Sequence, residues 1–340
     1  MTILSADVPV VGIAGAGRVA RLHLDAWREL GVRAHVFSPH GAAALAAEYG
    51  EGVTPASSWG ELLQRCAVID ICTPTDTHVA LAAEAIAARR HVICEKPLAL
   101  DAHSAAGLAT AAAAAGVLLL PAHVVRFVPA YEALHTVVAS GRLGTVVFAR
   151  FTRARRAPGW GGWFRDEARS GGIIFDQTVH DIDQALRIAG PAVRVLARRV
   201  VSPDAATAST MLALSHDRGA VSHIVGLWGA PRTPFRTTYR VTGTVGTVSH
   251  DSVAAPALRV RGAAAESPDD IELDAGAASP FTAELAEFLR AVTSGAPARV
   301  DASDGVAAVA VAEAALESAA TGRAVRIAGA TDGTSERTAS

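Results

Sequence analysis

The sequence predicts an α/β protein in two parts: a parallel sheet covered by helices over residues 1–125, and an α+β domain with a mostly antiparallel, open sheet over residues 126–330. Three observations carry this expectation. Up to about residue 122, short apolar runs alternate with Ala-rich stretches, the pattern of βαβ units. Beyond Pro129, longer β-branched runs follow one another with turn residues between them, the pattern of antiparallel strands. The 340 residues are 50% hydrophobic and 19% charged, enough to bury two cores.

In the first part the apolar runs predict strands at 8–14, 34–37, 67–72, 91–94 and 117–120. Helices are expected between them at 19–30, 41–49, 77–88 and 102–115. In the third of these, opened by His78, the Ala, Leu and Ile residues form a continuous apolar stripe. Residues 105–122 carry no charge and are long enough to raise a membrane span. Gly116 and Pro121 interrupt them, so they read as a helix followed by a buried strand. In the second part strands are expected at 145–152, 193–201, 208–215, 220–227 and 236–242, with one helix at 173–189 and closing helices at 280–293 and 305–320. Residues 331–340 are polar and aperiodic, a tail expected to be flexible.

Lys and Arg number 31 against 33 Asp and Glu, a net charge of −2 that offers no overall field to nucleic acid or to an anionic membrane. The run Arg153, Arg155, Arg156, Trp160, Trp163 and Arg165 mixes basic and aromatic residues, but no recognition motif accompanies it. It suits a polar, acidic or sugar-like small molecule instead, since Arg binds oxygens and Trp stacks on a ring face. Cys66, Cys72 and Cys94 lie in apolar surroundings without CxxC spacing, and no basic segment precedes the first apolar run. A reducing, cytoplasmic setting is expected.

The first strand leads into Gly15-Ala16-Gly17-Arg18-Val19-Ala20, the GxGxxA form of a dinucleotide-binding turn, so the first part is expected to be a Rossmann domain. Gly15 permits the tight turn, Gly17 lets backbone approach a pyrophosphate, and Ala20 lets the helix pack closely. The free amides of the helix N-terminus, at Arg18 and Val19, favour phosphate. The second strand ends in Ser38-Pro39-His40, where an NAD-preferring site places an acid. Without that acid a 2′-phosphate is not repelled, and Ser38, His40 and Arg33 are available to receive it, which favours NADP. A Ser that only caps a turn keeps NAD open.

Several further segments stand in a distinctive order: Asp70-Ile71-Cys72-Thr73-Pro74 with His78, Glu95-Lys96-Pro97, Arg126-Phe127 before Pro129, Ser170-Gly171-Gly172, Asp176 with His180 and Asp183, and Thr321-Gly322-Arg323. Together they resemble the Gfo/Idh/MocA family, relatives of glucose-fructose oxidoreductase and inositol dehydrogenase, over nearly the whole chain. The resemblance implies an NAD(P)-dependent dehydrogenase or reductase acting on CH–OH groups of a cyclic polyol, sugar or sugar acid, forming a homodimer or homotetramer.

Lys96 follows a strand and so emerges at a carboxyl edge, where ligands of open α/β sheets bind. Its ammonium can bond a substrate oxygen and a cofactor ribose hydroxyl together. Asp176, His180 and Asp183, spaced four and three apart, are expected on one helix face, where an Asp can orient an imidazole acting as general base. The resemblance assigns Asp176 and His180 those roles, with Lys96 completing the catalytic set. It adds Thr73, Pro74, His78, Glu95 and Arg126 to the cofactor side. His123, Arg153, Trp163 and Asp183 are candidates for substrate contact. No metal is expected, because hydride exchange with nicotinamide needs none. Two alternatives remain open at this point: an NAD-dependent glycosidase of the same family, and a cofactor-sensing protein without catalysis.

Overall fold

A computed structural model describes residues 9–159, 162–254, 257–262, 269–271 and 278–329. The expectations for Val8, Trp160 and the 331–340 tail lie outside these residues. The chain forms two compact units, Met1–Phe127 with Ala277–Val306, and Val128–Gly276 with Ala307–Ser340. The single boundary expected at 125/126 is thus joined by a return of the chain to the first unit.

In the first unit six parallel strands, β1 (Val11–Ala14), β2 (Ala34–Phe37), β3 (Val53–Pro55), β4 (Val68–Ile71), β5 (His91–Glu95) and β6 (Leu119–Ala122), form one sheet in the order β3-β2-β1-β4-β5-β6. This is the doubly wound dinucleotide-binding topology, and the order reverses between β1 and β4. Between the strands run α1 (Arg18–Glu29), α2 (Ala42–Tyr49), α3 (Trp59–Arg65), α4 (His78–Ala87) and α5 (Ala102–Ala115). The sequence missed β3 and α3: β3 is a three-residue edge strand with Thr54 and Pro55 exposed, so it carries no apolar run. The uncharged stretch resolves into α5 and β6, and no helix among the described residues is long and apolar enough to cross a membrane.

The second unit opens with α6 (Pro129–Ala139), which the strand-rich reading also missed. Pro129 starts it, and Ala130, Tyr131, Leu134 and Val137 make its buried face. Then come β7 (Val146–Arg156), α7 (Glu167–Ser170) and α8 (Val179–Ala189), followed by β8 (Ala192–Val201), β9 (Ala208–His216), β10 (Val221–Gly229), β11 (Arg236–Gly243), β12 (Gly246–Asp251), β13 (Leu258–Gly262) and β14 (Asp269–Ile271). With β15 (Val325–Arg326) these strands form a nine-stranded sheet, antiparallel except where β10 runs parallel to β7. The strand patterns alternate buried and open positions, the signature of a sheet covered on one face.

Two helices follow β14 in the chain. α9 (Pro280–Ser294) belongs to the first unit, where Leu285 and Phe288 join the core of the parallel sheet and Thr282 donates to Glu29 on α1 at 2.6 Å. α10 (Ala302–Thr321) begins in the first unit and ends in the second.

Candidate active site

The ends of β1 and β4 meet at the topological switch point, and the glycine turn is built into that junction. Gly15 has φ +117°, donates its amide to the Phe37 carbonyl at 2.8 Å, and would bring a Cβ within 2.6 Å of the Cys72 carbonyl oxygen. Glycine is therefore required by both conformation and space. Gly17 is exposed, and a Cβ there would meet nothing within 4 Å, so its surface is open to a ligand. It caps α1 without a side-chain bond, and no acid stands in the first helical turn. Outward-facing amides and an unopposed helix dipole suit a pyrophosphate. Arg18 is exposed and Val19 half-buried at this end, while Ala20 is fully buried, as close helix packing demands.

Gly15→Ala is expected to abolish measurable dinucleotide binding and to destabilise the chain by about 1–3 kcal/mol, the cost of forcing a side chain into such a backbone position. Nicotinamide fluorescence titration and thermal melting check the two effects separately.

Ser38 and His40 follow β2, Ser38 half-buried and His40 exposed, with no acid between them. Beyond β4, Thr73 and Pro74 form a turn closed by the Thr77 hydroxyl, 2.6 Å from the Thr73 hydroxyl and 2.7 Å from the Pro74 carbonyl. His78 was expected on the cofactor side. It is buried with its ring between two carbonyls, Pro97 O at 2.8 Å from Nδ1 and Thr73 O at 3.0 Å from Nε2. It joins the turns after β4 and β5, and burial holds its imidazole below the usual range.

Lys96 leaves the carboxyl end of β5, half-buried, its bond to Pro97 cis. Its backbone amide donates to Glu95 Oε2 at 3.1 Å. Arg126 is buried and bonded to the Arg299 carbonyl at 2.6 Å and to both carboxylate oxygens of Asp304 at 3.1 and 2.9 Å. That engagement fastens the returning segment to the first unit. His123, just after β6, is also buried.

In the second unit the expected helix 173–189 divides into a π-type turn over Ile174–Thr178 and the helix α8. Asp176 lies in the turn and His180 in the first turn of α8, both half-buried. Irregular turns of this kind recur where a side chain must be re-aimed for function. Gly226 on β10 lets the turn approach the sheet, for a Cβ there would lie 2.7 Å from the Thr178 hydroxyl. Asp183 is buried and accepts from Gln184 at 3.0 Å. Trp163 is half-buried and stacks on Phe164 at 3.9 Å.

Arg153 departs from its expected place. It is buried and forms a two-pronged pair with Asp181, Nε donating to Oδ2 at 3.0 Å and Nη2 to Oδ1 at 2.8 Å, while Nη2 also reaches Tyr131 at 3.2 Å. Those bonds tie β7, α8 and α6 together. Burial works against the guanidinium charge, but Asp181 more than restores it. Arg153 thus holds the helix that carries His180.

The sequence reading overlooked a buried polar cluster beside the glycine turn. His23 on α1 meets Asp70 of β4 and Glu95 of β5, and Trp27 donates to Asp70 at 2.8 Å. A signal was present, since His23 interrupts the apolar stripe Ala20, Leu24 and Trp27, and Asp70 interrupts the apolar strand β4.

A doubly wound sheet with an open phosphate turn at its switch point, followed in the chain by an antiparallel sheet with Asp176 and His180 on the turn and helix between β7 and β8, defines the class of two-domain dinucleotide-dependent oxidoreductases. Residues 10–123 match the family described as "Oxidoreductase family, NAD-binding Rossmann fold", and residues 131–249 match the GFO/IDH/MocA C-terminal domain. The chain belongs to the Gfo/Idh/MocA oxidoreductase family. It is 28% identical to inositol 2-dehydrogenase of Rhizobium meliloti (strain 1021) over 93% of this chain and 98% of that one. It is 31% identical to 1,5-anhydro-D-fructose reductase of Ensifer adhaerens, covering 76% and 78% of the two chains. A solved levoglucosan dehydrogenase, in complex with NADH and levoglucosan, shares the fold with a TM-score of 0.85 at 21% identity, over 94% of this chain and 98% of that one.

Proposed function

We propose that this oxidoreductase exchanges a hydride between a nicotinamide dinucleotide and a secondary alcohol, or its ketone, on a cyclic polyol, sugar or sugar acid. The observation that carries the reading is the Gly15–Gly17 turn at the switch point, restricted to glycine at Gly15 and open to a ligand at Gly17, with Lys96 leaving β5 in the same unit. The substrate class is supported by the names of the relatives, one acting on inositol and one on anhydrofructose.

The nicotinamide supplies or accepts the hydride. Gly15, Gly17, Arg18 and Val19 bind the pyrophosphate, while Thr73, Pro74 and Glu95 shape the floor beside it. His180 takes or returns the hydroxyl proton, Asp176 orients its imidazole, and the Lys96 ammonium bonds the reacting oxygen. His123, Trp163 and Asp183 remain candidates for holding the substrate. The Cys66, Cys72 and Cys94 thiols are free and buried, which supports a cytoplasmic setting. Val147, Leu196, Met211, Val221 and Leu227 are exposed large apolar residues of the second sheet, which supports a homodimer or homotetramer.

The cofactor reading favours NADP, because the residues after β2 present no carboxylate to a 2′-phosphate. The test is titration of the unaltered chain and Ser38→Asp with NADPH and NADH. The new carboxylate is expected to weaken NADPH on the order of tenfold and to spare NADH. Tighter binding of NADH by the unaltered chain would reverse the preference; binding of neither would sink the reading.

A further inference from the structure

The cluster behind the glycine turn reaches Lys96 through a continuous line of hydrogen bonds. Asp70 Oδ2 and Oδ1 lie 2.9 and 3.0 Å from His23 Nδ1, Glu95 Oε1 lies 3.2 Å from His23 Nε2, and Glu95 Oε2 accepts the Lys96 amide at 3.1 Å. We infer that His23 is a positioning residue for the reaction: by donating from both ring nitrogens it fixes Glu95, and Glu95 in turn fixes the backbone from which the Lys96 ammonium is presented. This rests on the dehydrogenase reading above.

The argument begins with the valence of imidazole. A neutral ring carries one N–H, and its second nitrogen presents a lone pair. Here both nitrogens face carboxylate oxygens in a buried site, so a neutral ring would set a lone pair against one of them. Donation in both directions requires the imidazolium, and the surroundings favour it. Burial by itself would lower the His23 proton affinity, but Asp70 and then Cys72 raise it well above the ordinary value.

The groups facing the ring are Asp70 and Cys72 at β4, Glu95 on β5, and Glu284 and Phe281 on α9, with Glu287 farther along that helix. Glu284 is fully buried, and neither of its carboxyl oxygens has a hydrogen-bond partner among the described residues. Burial pushes it well above the usual carboxyl range, with Glu95 and Asp70 adding to the rise and His23 opposing it. That shift favours its neutral form, and the carboxylates bonded to the His23 ring are Asp70 and Glu95.

His23, Asp70 and Cys72 have ligand atoms within 4.8 Å of one another, a spacing compatible with a metal ion. The direct bonds of Asp70 to His23 and Trp27, of His23 to Glu95, and of the Cys72 thiol to Asp70 at 3.5 Å already account for these groups. The same bonds link helix α1, whose N-terminus would receive the pyrophosphate in that reading, to the strand that presents Lys96. A misplacement of about 1 Å at a reacting group can cost on the order of 100-fold in rate.

The test compares the unaltered holoenzyme with His23→Gln and Glu95→Gln. Gln at either position cannot satisfy both neighbours of the residue it replaces, so each variant breaks the line from a different end. Nitrogen-15 NMR of histidine-labelled protein with NADH bound is expected to show both His23 ring nitrogens protonated at about pH 8, above the usual His range. The signal is assigned by its loss in His23→Gln.

Reduction of 1,5-anhydro-D-fructose, and oxidation of inositol and levoglucosan, supply the kinetic arm with either dinucleotide. In each variant kcat is expected to fall on the order of 10- to 100-fold, and the isotope effect with deuterated reduced dinucleotide to rise, while in His23→Gln dinucleotide affinity stays within about threefold. A smaller folded fraction would lower the rate without touching the isotope effect. A His23 ring with one bare nitrogen, or unchanged kcat and isotope effect in both variants, would overturn the inference and leave the dehydrogenase reading intact. If His23→Gln does not fold, Glu95→Gln decides the kinetic arm. Failure of the unaltered chain to turn over any of the three compounds would overturn the dehydrogenase reading and the positioning role with it.

Discussion

His180→Ala is expected to lower kcat on the order of 100- to 10,000-fold while leaving dinucleotide affinity within about twofold. The loss follows from the proton that must leave the hydroxyl as the carbon is oxidised, or return to it in the reverse direction. An imidazole accepts such a proton near neutral pH, and water does so poorly. His180 stands in the first turn of α8, after the π-type turn that carries Asp176. Asp176→Asn should therefore reproduce part of the loss and change the pH profile of kcat. Lys96→Met removes a donor from the reacting oxygen and is expected to cost on the order of 100- to 1,000-fold. Groups that serve one transition state lose their effects together, so the double variant should fall well short of the product of the two losses. Steady-state rates for the three variants and the double variant decide this.

Arg153→Met is expected to destabilise the protein by about 3–5 kcal/mol, because it leaves the Asp181 carboxylate buried without its partner. Arg153 and Asp181 are 5% and 1% exposed, so solvent cannot replace the missing charge. Denaturant melts measure the loss. Asp181→Leu added to Arg153→Met should recover much of it, since two apolar residues in place of a buried pair are often tolerated. A loss of activity in Arg153→Met at temperatures where it stays folded would point to displacement of α8 beneath His180. Unchanged stability would show that the pair is not the fastening described above.

The parallel sheet was legible because each of its longer strands is a continuous apolar run, and the glycine turn because strand, turn and helix follow in order. Short edge pieces were not. Strand β3 has too few residues to show a period, and α6 was hidden by the β-branched runs after it. The return of residues 277–306 to the first unit could not be read locally, because α9 is an ordinary amphipathic helix whose partner, α1, lies more than 250 residues earlier, as the pair Glu29 and Thr282 shows. At the candidate site, the order of motifs around 96, 176 and 180 resembled the family's, but the single regular helix expected across 176 and 180 is broken by the π-type turn that carries Asp176. Arg153 looked like a ligand for substrate oxygens because its sequence neighbours are basic, but strand alternation turned it inward onto Asp181 while Arg156 stayed exposed. His23 passed unnoticed because a histidine inside an apolar stripe reads as core until its three-dimensional partners are known.

The central claim is that one dinucleotide site and one proton-transferring pair together run a redox reaction on a polyol. It is tested most directly by following nicotinamide absorbance while the unaltered chain and His180→Ala are offered inositol, levoglucosan and 1,5-anhydro-D-fructose with each dinucleotide. The account predicts dinucleotide-dependent turnover of at least one compound by the unaltered chain, and loss of that turnover in a variant that still binds the dinucleotide. Equal turnover by the two proteins, or tight dinucleotide binding with no turnover of any compound, would contradict it.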